Sequence, residues 1–340
     1  MGFKYLSNFK VSNSKKSNKV VCLRPENDFK EFGAVAPPHF SVVYLSPDDT
    51  SLIQKASDAE VLLIPAVGPK IPNDFFRRTS VKMVQVTGAG IDRVDFDFCT
   101  QNNIKVCNVL GASARSVAEY CLFSALAISR RLIRTTDEIA SGNYAEIRGN
   151  IIKDRMHSLS GLTLGVMGFG SIGQETAKIF SAMGCRIQYY DPSSPKVEQS
   201  LASIAEEVGK EVLLRSSDII SVHVPLLEQT FNLISEQELS MMKDTSILLN
   251  ASRGGVVNEN ALAQAIQNKK IKGAAVDVFS SEPPEKNNPL LNLPNECREN
   301  LVLTPHIGGI TVQSWAELFS RSWINIQRFF DGKKLEDQQI

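Results

Sequence analysis

An apolar run, three closely spaced glycines and a helical pattern follow one another in residues 161–192, and this order constrains the fold more than any other feature of the chain. The segment reads GLTLGVMGFGSIGQETAKIFSAMGCRIQYYDP and ends its second apolar run at Asp191. A strand, a glycine turn, a helix and a second strand predict a βαβ unit. Such units build parallel sheets that helices cover on both faces.

The glycine spacing also indicates a ligand. Gly168, Gly170 and Gly173 form the pattern G-x-G-x-x-G, which provides a tight turn, close approach of the backbone to a pyrophosphate and close packing of the helix on the strand. The helix N-terminus supplies amides that attract phosphates. A carboxylate at Asp191 favours NAD over NADP, because it accepts hydrogen bonds from a ribose 2'-hydroxyl and repels a 2'-phosphate. The alternative is a tight strand-to-helix turn without a ligand.

Further apolar runs alternate with amphipathic stretches on both sides of this unit. The runs before it are KVVCL, SVVYL, EVLLIPA, KMVQVTG and IKVCNV, and those after it are DIISVHVPL, SILLNAS, GAAVDVF and LVLTPHI. The 340 residues are enough for about two domains. We therefore predict an α/β protein with two parallel sheets.

Two helical patterns indicate where the domains divide. Residues 116–135 are apolar over more than one face, which predicts a long helix packed between domains or against a second subunit, and a polar connector containing SGNYAEIRGN follows. Residues 311–332 predict an amphipathic helix that returns to the first domain. The predicted domains are residues 1–112 plus 310–340 and residues 113–309.

The composition of the chain limits the kinds of molecule that we expect it to bind. Lys plus Arg and Asp plus Glu both number 37, so no global field attracts nucleic acid or an acidic membrane. No apolar run reaches the length of about 18 residues that a membrane span needs. The six cysteines lack C-x-x-C pairs and metal-ligand spacing, which predicts reduced thiols, no metal and a cytoplasmic protein. The basic segment 1–19 lacks the features of a targeting peptide, and we predict a solvated tail.

Four polar residues follow strand-like runs of the second series. Arg253 follows SILLNAS, Asp277 ends GAAVD, Glu282 stands in FSSEPP and His306 follows LVLTP. In an open α/β sheet, ligands bind at the carboxyl ends of the strands. Hydride transfer to a 2-keto acid requires a proton donor and a cation: a protonated His306 supplies the proton, Glu282 holds the imidazole, and Arg253 binds the substrate carboxylate.

Each of these residues, taken singly, has an ordinary structural alternative. The arginine fits a surface ion pair, the glutamate a solvated position beside two prolines, and the aspartate a capping role. The other three histidines are controls. We expect no chemistry from His39 and His157, whereas His223 fits either the cofactor site or a structural role.

Seven motifs in order make the chain resemble the D-isomer-specific 2-hydroxyacid dehydrogenase family. They are VTGAGIDRVD, RSVAEY, the glycine motif through Asp191, HVPL, NASRGGVVNENAL, AAVDVFSSEPP and TPHIGG, and the resemblance covers nearly all of residues 20–330. The resemblance implies an NAD-dependent oxidoreductase that acts on a small D-2-hydroxy or 2-keto acid. It also implies two flavodoxin-like or Rossmann-like domains, an active site in the cleft between them, and a homodimer formed partly through the long helix.

The resemblance implies a role for each site residue. His306 is the acid/base, Glu282 its partner and Arg253 the substrate clamp, while Ala89 and Gly90 hold the substrate carboxylate from the first, substrate domain. Asp277 contacts the nicotinamide carboxamide in the second, NAD-binding domain. The full set of predicted cofactor-binding residues is Gly168, Gly170, Ser171, Ile172, Gly173, Asp191, Pro225, Ala251, Ser252, Asp277 and Gly308.

Departures from the family pattern bear on the substrate. Glu282 stands where the family's formate dehydrogenases carry Gln, which argues for a hydroxy acid. An insertion, PNECREN, lengthens the loop between Glu282 and His306, and it either leaves the site alone or reshapes the mouth of the cleft. Arg115 meets a phosphate or a second carboxylate of the substrate, or it is a solvated cation at a helix start. The alternative function is an NAD(H)-sensing protein like the C-terminal-binding corepressors, which resemble the same family.

Overall fold

The computed structural model describes residues 18–154 and 156–340, so most of the predicted N-terminal tail lies outside the described residues. The chain divides into two compact units. One contains the residues up to Ser113 and from Ile310 onward, and the other contains Ala114–Gly309. The sheets, cores and site are therefore described within each unit.

The first unit is built on a five-stranded parallel sheet. Its strands are β1 (Lys19–Cys22), β2 (Ser41–Tyr44), β3 (Val61–Pro65), β4 (Met83–Thr87) and β5 (Lys105–Cys107). The helices between them are α1 (Glu26–Glu31), α2 (Leu52–Ala56), α3 (Asn73–Arg77) and α4 (Phe96–Gln101). The order β2-β1-β3-β4-β5 is that of a flavodoxin-like sheet.

The second unit is built on a seven-stranded parallel sheet. Its strands are β6 (Thr163–Met167), β7 (Arg186–Tyr190), β8 (Ala205–Glu207), β9 (Ile219–Val222), β10 (Ile247–Asn250), β11 (Gly273–Val276) and β12 (Leu301–Leu303). Its helices are α5 (Ala114–Ser129), α6 (Leu132–Ala140), α7 (Tyr144–Lys153), α8 (Ser171–Ala182), α9 (Lys210–Ser216), α10 (Glu236–Met241), α11 (Glu259–Gln267) and α12 (Asn295–Arg298).

The order of strands in the second sheet is β12-β11-β10-β9-β6-β7-β8. Successive crossovers reverse direction between β6 and β9, which makes a topological switch point where open α/β sheets bind ligands. Nearly all of its central strand residues are buried, because a parallel sheet carries an apolar core on each face. The prediction of an α/β class with parallel sheets is confirmed.

The last helix, α13 (Val312–Phe330), packs on the first sheet. Its apolar face enters a core cluster that also contains residues of β1, β3 and β4. Trp323 is 1% exposed, and its indole Nε1 donates to the carbonyl oxygen of Ala34 at 2.9 Å. This hydrogen bond allows a buried tryptophan to keep its polar atom satisfied.

Two predicted segments differ from the structure. The helix predicted over residues 116–135 is interrupted, because Arg131 has a left-handed φ of 52° between α5 and α6. A left-handed residue cannot continue a right-handed helix. The predicted polar connector also contains a helix, α7. Strand β8, with the sequence AEE, carries no apolar pattern and was not predicted.

Two findings concern the described residues as a whole. None of their helices combines the length and the apolar character that a membrane span requires. Their six cysteines have free thiols, and all except Cys297 are buried.

Candidate active site

The predicted site residues of the second unit lie at one edge of its sheet. Gly168 follows β6, Asp191 follows β7, Arg253 comes shortly after β10, Asp277 follows β11, and His306 comes shortly after β12. Because all seven strands are parallel, their carboxyl ends share one edge. The fold therefore collects side chains that are far apart in the sequence.

The three glycines of the turn after β6 differ in how much room they leave for a side chain. Gly168 has a φ of +90°, and a Cβ there would lie 2.7 Å from the carbonyl oxygen of His223. A Cβ on Gly173 would lie 2.1 Å from the carbonyl oxygen of Gly168. A Cβ on Gly170, the N-cap of α8, would meet nothing within 4 Å. Gly168 and Gly173 thus serve packing, whereas Gly170 leaves open space before the N-terminus of a 12-residue helix, as a pyrophosphate requires.

Asp191 is tied to this turn. Its Oδ2 accepts a hydrogen bond from the backbone N–H of Phe169 at 2.7 Å, and its Oδ1 accepts two from Ser193, at 2.9 Å from N and 2.6 Å from Oγ. A carboxylate offers about four acceptor positions. The side chain is therefore held in place and keeps capacity for a ribose hydroxyl.

The segment after β10 is organised by Asn250. Its Oδ1 accepts hydrogen bonds from the N–H and Oγ of Ser252, at 3.2 and 2.8 Å. The Arg253 guanidinium donates to the carbonyl oxygen of Ser252 at 2.8 Å. A Cβ on Gly254 would lie 1.8 Å from the carbonyl oxygen of Phe279, so only glycine permits this approach of the two strand-end loops.

Asp277 is 2% exposed and anchors the TPHIGG loop. Its Oδ1 accepts from Thr304 Oγ1 at 2.6 Å and from the N–H of Ile307 at 2.8 Å, and its Oδ2 accepts from the N–H of Gly308 at 2.8 Å. Tyr120 OH in turn lies 2.7 Å from Thr304 Oγ1. A buried carboxylate needs such partners, and these hold it at the strand end.

His306 and Glu282 form a hydrogen-bonded pair. The imidazole Nδ1 lies 2.9 Å from Glu282 Oε2, and the N–H of Phe279 donates to Glu282 Oε1 at 3.0 Å. Burial works to raise the pKa of the Glu282 carboxyl, but His306, the Phe279 amide and the Arg253 charge together lower it. The carboxylate is therefore ionised at neutral pH. The two side chains remain 23% and 26% exposed, within reach of a ligand.

His306 has a φ of 57°, an unusual backbone conformation for a residue with a side chain. Its N–H donates to the carbonyl oxygen of Asp277 at 2.8 Å. The two glycines that follow, and the bonds from Ile307 and Gly308 to Asp277, make the loop tight enough to impose this conformation.

His223 belongs to the glycine turn. Its Nε2 lies 2.8 Å from Ser221 Oγ, and its Nδ1 is buried without a hydrogen-bond partner among the described residues. Burial lowers the pKa of His223 to about 3. A neutral imidazole packed beside Gly168 fits a structural role better than a role in the cofactor site.

The remaining predicted residues follow strands of both units. Ser171 and Ile172 begin α8, Pro225 follows β9, and Ala251 follows β10, all at the same sheet edge. Ala89 and Gly90 follow β4 in the first unit, where the Asn108 side chain donates to the carbonyl oxygen of Ala89 at 2.6 Å. The substrate-binding role of these two stays a prediction.

Two features singled out from the sequence lie outside the strand ends. Arg115 pairs with Glu119 at 2.8 Å and with Glu175 at 3.1 Å, and its side chain is exposed, as expected for a solvated cation at a helix start. The PNECREN insertion contains α12 and precedes β12, so it lies at the amino-terminal edge of the sheet. It does not border the loops that carry Arg253 and His306.

The sequence alone missed the residues that hold the predicted ones. Thr304 stands in the TPHIGG motif, two residues from His306, and this adjacency was a usable signal. Tyr120 and Asn250 also stand in quoted motifs, RSVAEY and NASRGGVVNENAL, but neither motif indicated what they bond. Among residues 18–154 and 156–340, no group of three His, Cys, Asp or Glu side chains is placed to bind a metal ion.

Comparison with known proteins identifies similar sequences and folds. The sequence profile described as D-isomer specific 2-hydroxyacid dehydrogenase, NAD binding domain, matches residues 122–308. D-3-phosphoglycerate dehydrogenase of Methanocaldococcus jannaschii is 36% identical over 270 residues, 77% of this chain and 48% of that protein. The chain thus spans about half the length of that relative. Hydroxypyruvate reductase of Thermotoga maritima is 38% identical over 266 residues, 77% of this chain and 82% of that protein.

A solved structure resembles the whole fold. D-lactate dehydrogenase from Aquifex aeolicus, in complex with NAD and lactic acid, superposes with a TM-score of 0.80 at 27% sequence identity. The superposition covers 92% of this chain and 96% of that one. The similar proteins are dehydrogenases and reductases, which favours an enzyme over the NAD(H)-sensing alternative.

Proposed function

Because the chain belongs to the D-isomer specific 2-hydroxyacid dehydrogenase family, we propose that it interconverts a small 2-keto acid and a D-2-hydroxy acid with NADH and NAD. The observation that carries this proposal is the pair of His306 Nδ1 and Glu282 Oε2, 2.9 Å apart at the ligand-binding edge of the sheet. The bound cofactor supplies or accepts the hydride at its nicotinamide ring.

The protein's own residues handle the proton and the substrate charge. Reduction places negative charge on the carbonyl oxygen, and a protonated His306 neutralises it by giving up its proton. Glu282 stabilises the protonated imidazole and fixes the ring through Nδ1, which leaves Nε2 for the substrate. Arg253 binds the substrate carboxylate through its planar fork and polarises the carbonyl.

The second unit fits NAD. Gly170 leaves open space before the helix N-terminus, and Asp191 is held beside it by the Phe169 amide. We assign the pyrophosphate to the first turn of α8, the adenosine ribose to Asp191, and the nicotinamide carboxamide to Asp277 and the nearby strand ends. The first unit is assigned to the substrate, with Ala89 and Gly90 contacting its carboxylate.

We assign hydroxypyruvate or glyoxylate, rather than a phosphorylated acid, as the substrate. Hydroxypyruvate reductase is among the similar proteins, at 38% identity. Arg115, the residue singled out for a substrate phosphate, is paired with two carboxylates. This choice rests on the charges around Arg115.

The proposal includes a cytoplasmic homodimer. None of the residues of α6 is buried, although the helix contains Leu132, Ile133 and Ile139, each more than 40% exposed. Exposed apolar residues on one helix support an interface with a second subunit. The free thiols are consistent with a reducing compartment.

The test is the rate of NADH oxidation with glyoxylate, hydroxypyruvate, pyruvate and 3-phosphohydroxypyruvate. We expect the first two to have the highest kcat/KM. A preference for the phosphorylated acid would overturn the substrate assignment, and binding of NADH without turnover of any 2-keto acid would overturn the enzymatic function.

A further inference from the structure

A cavity of about 1010 Å³ lies in the second unit, away from the strand ends that carry the catalytic residues. Its lining includes Asp218, Thr245, Lys272 and Asn300. These residues come immediately or shortly before β9, β10, β11 and β12, so the cavity opens at the amino-terminal edge of the sheet. Ligand pockets in proteins commonly have volumes of about 300–1,000 Å³.

The insertion in this chain builds one wall of the cavity. Five lining residues, Pro294, Glu296, Cys297, Glu299 and Asn300, come from the PNECREN segment. Glu299 Oε2 accepts a hydrogen bond from the Arg134 guanidinium of α6 at 2.6 Å, which ties this wall to α6. The PNECREN insertion thus helps to enclose the cavity.

Three of the five acids that line the cavity are paired with cations. Asp154 Oδ2 lies 2.7 Å from Arg131 Nη1, and Asp218 Oδ1 lies 2.7 Å from Lys243 Nζ. Glu299 is paired with Arg134 as described. Two further lining acids, Asp244 and Glu296, are exposed, so water screens their charges.

Three cations line the cavity: Arg131 is paired with Asp154, Lys269 is exposed, and Lys272 is partly buried. The Lys272 ammonium makes no hydrogen bond or ion pair with any residue in 18–154 or 156–340. Burial lowers the pKa of Lys272, the Arg131 charge lowers it further, and Asp154 opposes the change only in part. Burying an ammonium without a counter-charge is unfavourable, and an anion in the cavity would remove that cost.

We propose that this cavity is a binding site for a small organic anion, a carboxylate or a phosphate ester, whose charged group pairs with the Lys272 ammonium. Apolar lining residues such as Leu162, Ile266 and Ile271 pack against the carbon skeleton of the ligand.

The site has a short path to the catalytic edge. Lys272 directly precedes β11, and Asp277 directly follows it. Lys272 therefore adjoins the start of the strand whose end positions the TPHIGG loop.

Calorimetric titration of the NADH-saturated protein with inorganic phosphate and with malonate tests the proposal. We expect a binding event that Lys272→Met weakens at least about tenfold, which is about 1.4 kcal/mol. Lys272→Arg should retain it, because the cation is kept. Lys270→Met is the matched control, since Lys270 is exposed and outside the cavity lining. All three variants should oxidise NADH at the unsubstituted rate.

The two probes separate the sources of the anion, since binding of phosphate alone indicates a phosphate ester and binding of malonate alone a carboxylate. Identical isotherms for the unsubstituted and Lys272→Met proteins, or no heat with either probe at millimolar concentration, would overturn the proposal. A second measurement does not depend on a variant. Acetylation of Lys272 by acetic anhydride, followed by peptide mass, should slow when the bound probe is present, and an unchanged rate counts against the site.

Discussion

At the residue scale, the central feature is one hydrogen bond between an imidazole and a carboxylate. Glu282 contacts His306 at 2.9 Å and also accepts from the Phe279 amide at 3.0 Å, so its position is determined on both oxygens. Because its pKa is lowered from 4.5, its contribution to the free energy of unfolding is present above that value and is lost as pH falls through the lowered pKa. The carboxylate is thus charged throughout the range in which a dehydrogenase works.

The variant Glu282→Gln tests this pairing. The amide cannot stabilise the imidazolium, so we expect the alkaline limb of kcat/KM for reduction to move to lower pH by about one unit. The measurement is the pH profile of NADH-dependent reduction. Glu285→Gln, an exposed acid on the same loop, is the control and should leave the profile unchanged. A profile that stays in place in Glu282→Gln would show that Glu282 does not act through His306.

Asp191 combines a structural and a predicted recognition role, and these can be separated. Asp191→Asn removes the charge but leaves one oxygen to accept the Phe169 N–H. We expect the ratio of kcat/KM for NADH over NADPH to fall by about tenfold, because repulsion of the 2'-phosphate is lost. Steady-state kinetics with both cofactors measure the ratio. Equal use of both by the unsubstituted protein would contradict the assignment.

At the scale of elements, the glycines at the junction of β6 and α8 have two different roles. Gly168 and Gly173 allow close packing, whereas Gly170 leaves space for the cofactor. Gly173→Ala places a Cβ 2.1 Å from a backbone oxygen, and we expect a loss of about 1–3 kcal/mol in the free energy of unfolding. Gly170→Ala meets no atom within 4 Å, so the fold should keep its stability while NADH affinity drops. Urea denaturation and fluorescence titration measure the two effects, and a stable Gly173→Ala or a tight-binding Gly170→Ala would refute the division.

A hydrogen bond between Tyr120 of α5 and Thr304, in the loop after β12, braces the loop that carries His306. Burial raises the pKa of Tyr120 to about 12, and its protonated hydroxyl bonds Thr304, which in turn bonds Asp277. Tyr120→Phe should cost about 1 kcal/mol of unfolding free energy and weaken NADH binding, since the loop loses its brace. Tyr144→Phe, an exposed tyrosine on α7, is the control. Unchanged stability and NADH affinity in Tyr120→Phe would show that Tyr120 does not brace the loop.

At the scale of the whole molecule, the exposed apolar residues of α6 predict a dimer. Ile133 and Ile139 are 43% and 49% exposed. We expect the unsubstituted protein to sediment as a dimer at micromolar concentration and the double variant Ile133→Lys with Ile139→Lys to sediment as a monomer, because two charges enter an apolar interface. Val212→Lys, at a site 53% exposed on α9, is the control. A monomeric unsubstituted protein would contradict the prediction.

The sequence alone determined the class of fold and the residues that stand at strand ends. Both follow from patterns that lie within one window of the chain: apolar runs of strand length, a glycine spacing, and a polar residue directly after a run. Parallel strands then bring their carboxyl ends to one edge, so Arg253, Asp277 and His306 share an edge without any knowledge of their contacts.

The tertiary structure alone decided what each of these residues touches. Tyr120 and Thr304 are 184 residues apart, and nothing local to either specifies their hydrogen bond. The break at Arg131 and the position of PNECREN at the opposite edge also depend on packing between distant segments. The same is true of Lys272, an ordinary lysine in the sequence, because only the folded chain places it, partly buried, in the lining of a cavity. Burial and charge balance are sums over neighbours in space, and the sequence states only neighbours along the chain.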